Sequence, residues 1–436
     1  MTQFDEALLA ACSPADLLPE RRRVEAERIE LPLRLLASAS LGESSWFLVI
    51  CDQRGIRYGV PAVIRDGALR RAAPGDGVSE SLLAMTVDSA MSGGSLEFER
   101  FGGSPQIGET AIDVDQTNEL IRVGDALVKW NLHPSDSSAP GPICTSLLHD
   151  AGFTETPRPW AHVRMRIDGE SMHVASVVDF VPDTEDGWDW AVVDIRRYAR
   201  GELDLAQALR PADALGSLIG RMHVGLSRGG ILDATAQDAK EWLVLAESEL
   251  SAAVTLETSA GHSGLALLEP ACRSVLKGMT GISSTPLMRI HGDLHIGQIL
   301  RATSTHEYLV IDFDGNPTQD SIVAFQPAAR DVAGMLCSLD HVARVVIHRT
   351  DDLTPAQVQR TLDWIPVAEQ AFLDAYTTTL TESGSGELFD SCLVAPFRIQ
   401  QECREYIYAD RYLPHWRYVP EAALPALLES LTKDES

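Results

Sequence analysis

The stretch from Leu287 to Pro317, LMRIHGDLHIGQILRATSTHEYLVIDFDGNP, constrains this chain more than any other. Asp293 follows His291 and Gly292, and Gln298 comes five residues later. The apolar run Tyr308-Leu309-Val310-Ile311 then delivers Asp312 at the head of Asp312-Phe313-Asp314-Gly315. A loop, a strand and a second acidic turn thus bring two carboxylates and an amide into one short segment. Either Asp alone fits an ordinary surface turn or strand end. Together with Gln298 they offer a base for a hydroxyl proton and oxygen donors for a hard cation, the set that phosphoryl transfer uses. Asp293 is the candidate catalytic base, and Gln298 and Asp312 are the candidate ligands for Mg²⁺.

Kinases use the same order: a base Asp, a metal-binding amide five positions on, then an Asp-Phe-Gly element. Here Gln298 stands for the usual Asn, keeping the amide oxygen on a longer arm, and Asp314 is inserted between Phe313 and Gly315. With HGDLHIGQ and DFDGNP the chain resembles the maltokinases and the aminoglycoside phosphotransferases, the former more closely, from about residue 30 to the C-terminus. The resemblance implies an α+β, bilobal protein-kinase-like fold with ATP as phosphate donor. It comprises an N-terminal β-rich cap subdomain over 1–90, a small β-sheet nucleotide-binding lobe with its hinge over 91–182, and a mainly helical C-terminal lobe over 183–436 carrying the catalytic loop and the acceptor-sugar site.

A chain of 436 residues with 45% hydrophobic content has material for two or three packed domains. Its formal charge of −27 argues against nonspecific partners such as nucleic acid or an anionic membrane, which need a dense positive surface. ATP must then be held by local groups. The seven cysteines are scattered without a Cys-x-x-Cys pair, which fits reduced thiols rather than a disulfide framework. There is no basic region leading into a long apolar one and no apolar run of about 18 residues, so a soluble cytoplasmic protein is expected, with no protein partner evident.

In chain order, a short helical opening precedes strand-like runs at 31–38, 46–52 and 57–65, the last two joined by a turn at Asp52-Gln53-Arg54-Gly55. None of these runs carries a catalytic constellation, so a structural, positional role is expected. The Gly/Ser-rich segment 91–108 fits no phosphate motif and reads as turn glycines. The segment 113–130, DVDQTNELIRVGDALVKW, reads as a strand, a small-polar turn and a return strand ending in Lys129. Lys129 stands among apolar neighbours, as the phosphate-binding lysine of a kinase strand does. The resemblance places backbone amides of Gln116, Thr117 and Asn118 against phosphate. Kinases pair that lysine with a helical Glu, yet helix 141–151 has Ile143 where the acid is expected; Asp136, water or the Mg²⁺ site are the substitutes open to it.

Strands at 161–167 and 172–180 follow, and the second leads into Pro182. It resembles the kinase hinge, whose main-chain groups, here from Val177 to Val181 and especially Asp179 and Val181, meet adenine; an ordinary edge strand is the alternative. A helical pattern runs from 190 to 224, with a structural His223, and one or two helices span 234–278. Arg330-Asp331-Val332-Ala333-Gly334-Met335 matches a maltokinase string and is expected to brace the catalytic loop.

The segment 398–424, RIQQECREYIYADRYLPHWRYVPEAAL, bears on the acceptor. As a helix it puts Ile399, Cys403, Tyr406 and Ile407 on an apolar face, and Gln401, Arg404, Glu405 and Tyr408 on the other, with Trp416 beyond. That second set mixes amide, guanidinium, carboxylate and phenol with an aromatic surface, as sugar sites do. It resembles the acceptor segment of actinobacterial glucosamine kinases. Glu405 would meet a protonated amine and Arg404 would fix Glu405 or bond ring hydroxyls, while His295 lies close enough in sequence to Asp293 to touch substrate. The expectation is an ATP-dependent kinase acting on the 6-hydroxyl of a small-molecule amino sugar, glucosamine. The alternatives are a maltokinase or other sugar kinase, an aminoglycoside phosphotransferase, and a nucleotide-binding pseudokinase.

Overall fold

The computed structural model describes residues 4–18, 28–88, 95–112, 119–135, 138–261, 263–281, 284–315 and 323–434. It divides into two compact units: Met1–His149 with Pro157–Pro182, and Asp150–Thr156 with Asp183–Ser436.

The first unit opens with helix α1 (Glu6–Ala10) and an antiparallel sheet of β1 (Arg34–Ser40), β2 (Ser45–Cys51), β3 (Arg57–Arg65) and β4 (Ala68–Arg71). Every residue of β2 is buried, because its two faces feed two cores. Trp46, Leu48 and Ile50 pack with Phe4, Leu9 and Leu17, whereas Phe47 and Val49 turn toward Leu82, Leu83, Val128 and Val177. The period of two along the strand makes this division, and each such side chain contributes about 1.5–3 kcal/mol. Asp52 forms the expected turn, its carboxylate accepting from the N–H groups of Arg54 and Ile56 at 3.0 Å each. β4 and the following helix α2 (Val78–Val87) are additions to the expected elements.

A second, six-stranded sheet has the order β5-β9-β10-β8-β7-β6. Its strands are β5 (Leu96–Arg100), β6 (Glu109–Ala111), β7 (Glu119–Val123), β8 (Ala126–Ser135), β9 (Pro159–Ile167) and β10 (Glu170–Asp179), with helix α3 (Pro140–Ala151) between β8 and β9. Described residues of the 1–90 segment share a core with this sheet, and both fall in the first compact unit. Polar clasps add to it. Glu109 accepts from the N–H groups of Gly75, Gly77, Ser79 and Glu80 at 2.7–3.1 Å, and Glu119 pairs with Arg71.

Lys129 lies on β8, but the hairpin that presents it differs from the expected one. β7 and β8 turn at Gly124-Asp125, where Gly124 has φ +57°, so the polar Gln116-Thr117-Asn118 precedes β7 and lies outside the described residues. The hinge strand also differs from an edge strand. β10 is interior, paired with β8 on one side and β9 on the other.

The second unit contains β11 (Thr184–Glu185), α4 (Gly187–Ala199), α5 (Leu205–Ser227), β12 (Leu232–Asp233), α6 (Ala236–Ser259), α7 (Gly264–Leu276), β13 (Pro286–Leu287), β14 (Ile299–Ala302), β15 (Tyr308–Val310), α8 (Ala329–Arg349), α9 (Pro355–Glu382), α10 (Val394–Arg411) and α11 (Tyr418–Asp434). The helical pattern from 190 to 224 is two helices. Gly201 at φ +80° ends the first, and a capping box between Asp204 and Gln207 starts the second. Helix α8 is buried along most of its length, and its Ala329 and Ala333 join Phe397, Ile399, Cys403 and Tyr406 of α10 in one apolar cluster. All seven cysteines are free thiols. Among the described residues no helix is long and apolar enough to cross a membrane.

Candidate active site

The segment around Asp293 is held by its backbone. Asp331, buried near the start of α8, accepts from His291 N–H at 2.7 Å and Gly292 N–H at 2.9 Å. Its Oδ2 also lies 3.1 Å from His223 Nε2, while His223 Nδ1 meets the Tyr376 hydroxyl at 2.8 Å. Burial pushes the Asp331 carboxyl up, but His223, His291 and the Gly292 amide outweigh it and hold it below the usual carboxylate range. Further along, Ile296 N–H donates to Ser338 Oγ at 2.8 Å.

Two glycines let helices touch this loop directly. A Cβ on Gly334 of α8 would stand 2.5 Å from the Leu294 carbonyl oxygen, and one on Gly187 of α4 would overlap the Ile296 carbonyl. Gly187→Ala should therefore displace α4 from the loop. Turnover is expected to fall at least about tenfold with a lowered melting temperature, since a one-ångström misplacement at such a site costs up to about 100-fold. A variant with unchanged rate and melting curve would contradict the close approach.

Asp293 and Asp312 flank the β14–β15 hairpin. His291 links the two sides, its Nε2 lying 2.9 Å from the Ile311 carbonyl and its ring 4.9 Å from that of Phe313. Asp312 has φ +64°, in the left-handed region that costs a non-glycine residue about 1 kcal/mol or more and that recurs where function fixes the backbone. Burial raises the Asp293 carboxyl to about 6; His291 and Arg404 pull it down, while the Asp312 and Glu405 carboxylates push it further up. His295, beside Gln298 at 3.4 Å, is driven by burial down to about 4 and is a neutral imidazole at physiological pH. A base works only when unprotonated. The acid limb of kcat/KM should accordingly fall near pH 6 rather than near 4. A pH–rate profile flat down to pH 5 would remove Asp293 from that role.

Among the described residues no cluster of three or more His, Cys, Asp or Glu side chains could hold a metal unaided. That is compatible with Mg²⁺, which takes one or two protein oxygens and completes its shell with phosphate and water. The carboxylate of Asp312 and the amide of Gln298 are hard donors of that kind, and the constrained Asp312 backbone suits a fixed ligand.

The expected acceptor face lies on α10. Gln401 Nε2 donates to Glu405 Oε1 at 3.0 Å, and Trp416 Nε1 donates to Glu405 Oε2 at 2.9 Å. Both partners are neutral, so Glu405 is oriented without being paired to a cation by them. Arg404, expected to fix Glu405 or to bond ring hydroxyls, has its Nε on another carboxylate. Its Nε donates to Glu249 of α6 at 2.9 Å, and Gln400 and Arg330 continue that network at 2.7 and 3.0 Å. Tyr408 is 43% exposed, its ring 5.5 Å from that of Tyr412, at the outer margin of the face.

Two groups escape sequence reasoning. Trp188, in the first turn of α4, meets Trp416 edge-on at 5.4 Å, and a Cβ on Gly297 would come within 2.9 Å of both its indole nitrogen and His295 Nδ1. His341 lies 2.9 Å from Glu402 and 6.2 Å from the Trp416 ring. Burial opposes a charge on His341, but the Glu402 carboxylate overrides it and raises the imidazole to about 9. The signal available for Trp188 is its place just after the Asp186 cap, at the start of a helix that packs against the Asp293 loop.

In the first unit, Lys129 pairs in register with Leu120 of β7 and Ser176 of β10. Along the hinge, Val177 and Val178 are paired within the sheet on both sides. Asp179 N–H donates to Arg158 O at 2.9 Å, and Phe180 N–H to Asp125 O at 2.8 Å. The stretch from Val177 to Val181 is therefore not open throughout. The Asp179 side chain is also engaged, with Arg158 at 3.2 Å and Trp160 Nε1 at 2.5 Å. Val181 is the first residue past the strand.

Comparison with known proteins agrees over the whole length. The chain is 44% identical over 444 aligned residues to a glucosamine kinase of Streptacidiphilus jiangxiensis, covering all of both chains. It is 37% identical to a glucosamine kinase of Mycolicibacterium smegmatis, covering 84% of this chain and 92% of that one. Its fold superimposes with a TM-score of 0.84 on a solved glucosamine kinase in complex with glucosamine, ADP and inorganic phosphate, at 42% identity, covering 98% of this chain and 100% of the other. No family model matches. Identity at this level across both units, joined to the loop, hairpin and helix α10 described above, makes the chain a member of the glucosamine kinase family.

Proposed function

We propose that this protein transfers the γ-phosphate of ATP to the 6-hydroxyl of glucosamine. The carrying observation is Glu405, a carboxylate oriented by two neutral donors beside a tryptophan, on the face whose charge also reaches Asp293. A neutral hexose has no use for that anion; a protonated 2-amino group does. Trp416, with Trp188 against it, offers an apolar surface to the C–H face of a sugar ring.

In this reading the Asp179 carbonyl and the Val181 N–H meet adenine, and Lys129 holds the α- and β-phosphates. Gln298 and Asp312 would hold Mg²⁺, which supplies charge neutralisation on the phosphates when bound. Asp293 accepts the proton of the 6-hydroxyl as that oxygen attacks the γ-phosphorus. The bond to the ADP oxygen breaks, leaving glucosamine 6-phosphate and ADP. His295, neutral, can donate to or accept from a sugar hydroxyl without competing for the amine site. Gln401 completes the polar wall, with Arg404 behind it and Tyr408 at the margin.

The direct test is ATP consumption by purified protein with Mg²⁺ across glucosamine, glucose, N-acetylglucosamine, maltose and kanamycin. Preference for glucosamine by about 100-fold or more in kcat/KM is the expected result. N-acetylglucosamine, whose amide carries no charge, should be poor. Preferred turnover of maltose or kanamycin would overturn the acceptor assignment.

A further inference from the structure

Arg404 and Glu405 are adjacent on α10, one a cation and the other the anion read above as the amine site. They are not paired with each other. Among the described residues Glu405 enters no ion pair, its two oxygens taking N–H groups from the neutral Gln401 and Trp416, whereas Arg404 is paired with Glu249 of α6.

This diversion uses both oxygens of Glu249. Oε1 accepts from Arg404 Nε at 2.9 Å and Oε2 from Gln400 Nε2 at 2.7 Å, two side chains a helical turn apart on α10. Gln400 is 1% exposed, and its own oxygen accepts from Arg330 Nη1 at 3.0 Å. One carboxylate therefore serves two guanidiniums, Arg404 directly and Arg330 through an amide. Burial, with Arg404 as a nearby like charge, pulls the Arg330 guanidinium down to about 9, and Glu249 opposes that pull. Arg404 Nη2 is buried without a hydrogen-bond partner, so that nitrogen adds no second anchor.

In Glu249→Gln a single carbonyl oxygen would face the two donors from α10, and one of them would be released. Arg404 has the stronger reason to leave, because Arg330 repels it and the next residue is an anion. Successive helix positions are turned about 100° apart, an angle that the long arginine stem can cross. Both residues already act by charge on Asp293, Arg404 drawing its carboxyl down and Glu405 pushing it up, so they border the same space. A guanidinium arriving at Glu405 would cover the anion with an internal cation, which the sugar ammonium would have to displace.

We propose that Glu249 is a specificity-determining positioning residue: it holds Arg404 on the α6 side of α10 and thereby keeps Glu405 open to the ammonium of the sugar. This inference rests on the reading of Glu405 as the amine-binding carboxylate.

The test reads the ratio of kcat/KM for glucosamine to kcat/KM for glucose in Glu249→Gln, Glu249→Asp, Arg404→Met, the double variant Glu249→Gln/Arg404→Met, and Glu405→Gln, with melting curves for each. A ratio cancels changes in Asp293 basicity, which affect both sugars. Glu249→Gln should lower it about tenfold, and Glu249→Asp, which keeps the charge, by no more than about threefold. Arg404→Met alone should leave it within about threefold of the parent, and the double variant should return it to that range, because no guanidinium remains to cover Glu405. A purely structural brace would be weakened further by the second loss rather than repaired. A ratio unchanged in Glu249→Gln, or a loss that Arg404→Met does not repair, overturns the proposal. So does a ratio that collapses in Arg404→Met alone, a result that counts even if Glu249→Gln is too unstable to assay. A ratio that Glu405→Gln leaves intact fails the amine reading instead, whereas collapse in Glu405→Gln beside a normal Glu249→Gln fails this inference alone.

Discussion

Asp293→Asn is expected to lower kcat by about 10³-fold while the folded protein still binds ATP and glucosamine. Asn keeps the shape of the side chain and its place between His291 and Leu294, but it cannot take a proton. A positioned general base contributes about 10²–10⁴-fold, and here the burial that raises Asp293 to about 6 also brings its basicity closer to the working pH than an exposed aspartate has. The loop should survive the change, because its grip comes from Asp331, Ser338 and the two glycine contacts, none of which involves the Asp293 carboxylate. Calorimetric titration with ATP and glucosamine, alongside single-turnover kinetics, separates the outcomes. Retained binding with lost chemistry supports the base. A kcat within tenfold of the parent would assign the proton to another acceptor.

Glu405→Gln should cost about 100-fold in kcat/KM for glucosamine and change glucose by no more than about threefold, collapsing the preference between them. The carboxylate is set by Gln401 on one oxygen and Trp416 on the other, and both are neutral donors. Replacing it with an amide of the same shape removes the charge that an ammonium would meet and turns an N–H toward one of those donors. A charge-assisted hydrogen bond in a partly desolvated site is worth about 1.5–3 kcal/mol, which corresponds to roughly 10- to 150-fold. The comparison with glucose matters more than the absolute loss. If both sugars fall together, Glu405 serves mainly to hold Trp416, and the amine is recognised elsewhere.

The candidate segment around Asp293 stands out in the sequence because its groups are neighbours in the chain: Asp293, Gln298 and Asp312 lie on one loop and hairpin. Lys129 was legible as a strand lysine, although its turn was misplaced, since the polar run 116–118 looks more turn-like than Gly124-Asp125 inside an apolar context. The buried face of α10 followed from periodicity. The partner of Arg404 did not. Glu249 is 155 residues away, on a helix whose packing against α10 is decided by the shared apolar core. Trp188, placed against Trp416 by the packing of two distant helical segments, was missed for the same reason.

The contacts between Gly187 and the Ile296 carbonyl, and between Gly334 and the Leu294 carbonyl, are made by main chain rather than by side chains. The backbone of the Asp293 loop is thereby held by parts other than the side chains of α10. The polar face of α10 can drift without disturbing those two main-chain contacts, although Glu405 and Arg404 act on the Asp293 carboxyl through their charge, whereas the loop tolerates almost no exchange at the two glycines. A lineage, or an engineer, seeking a new acceptor from this scaffold would be expected to succeed by editing α10 and the Trp188–Trp416 pair, and to fail by touching the residues beneath Asp293.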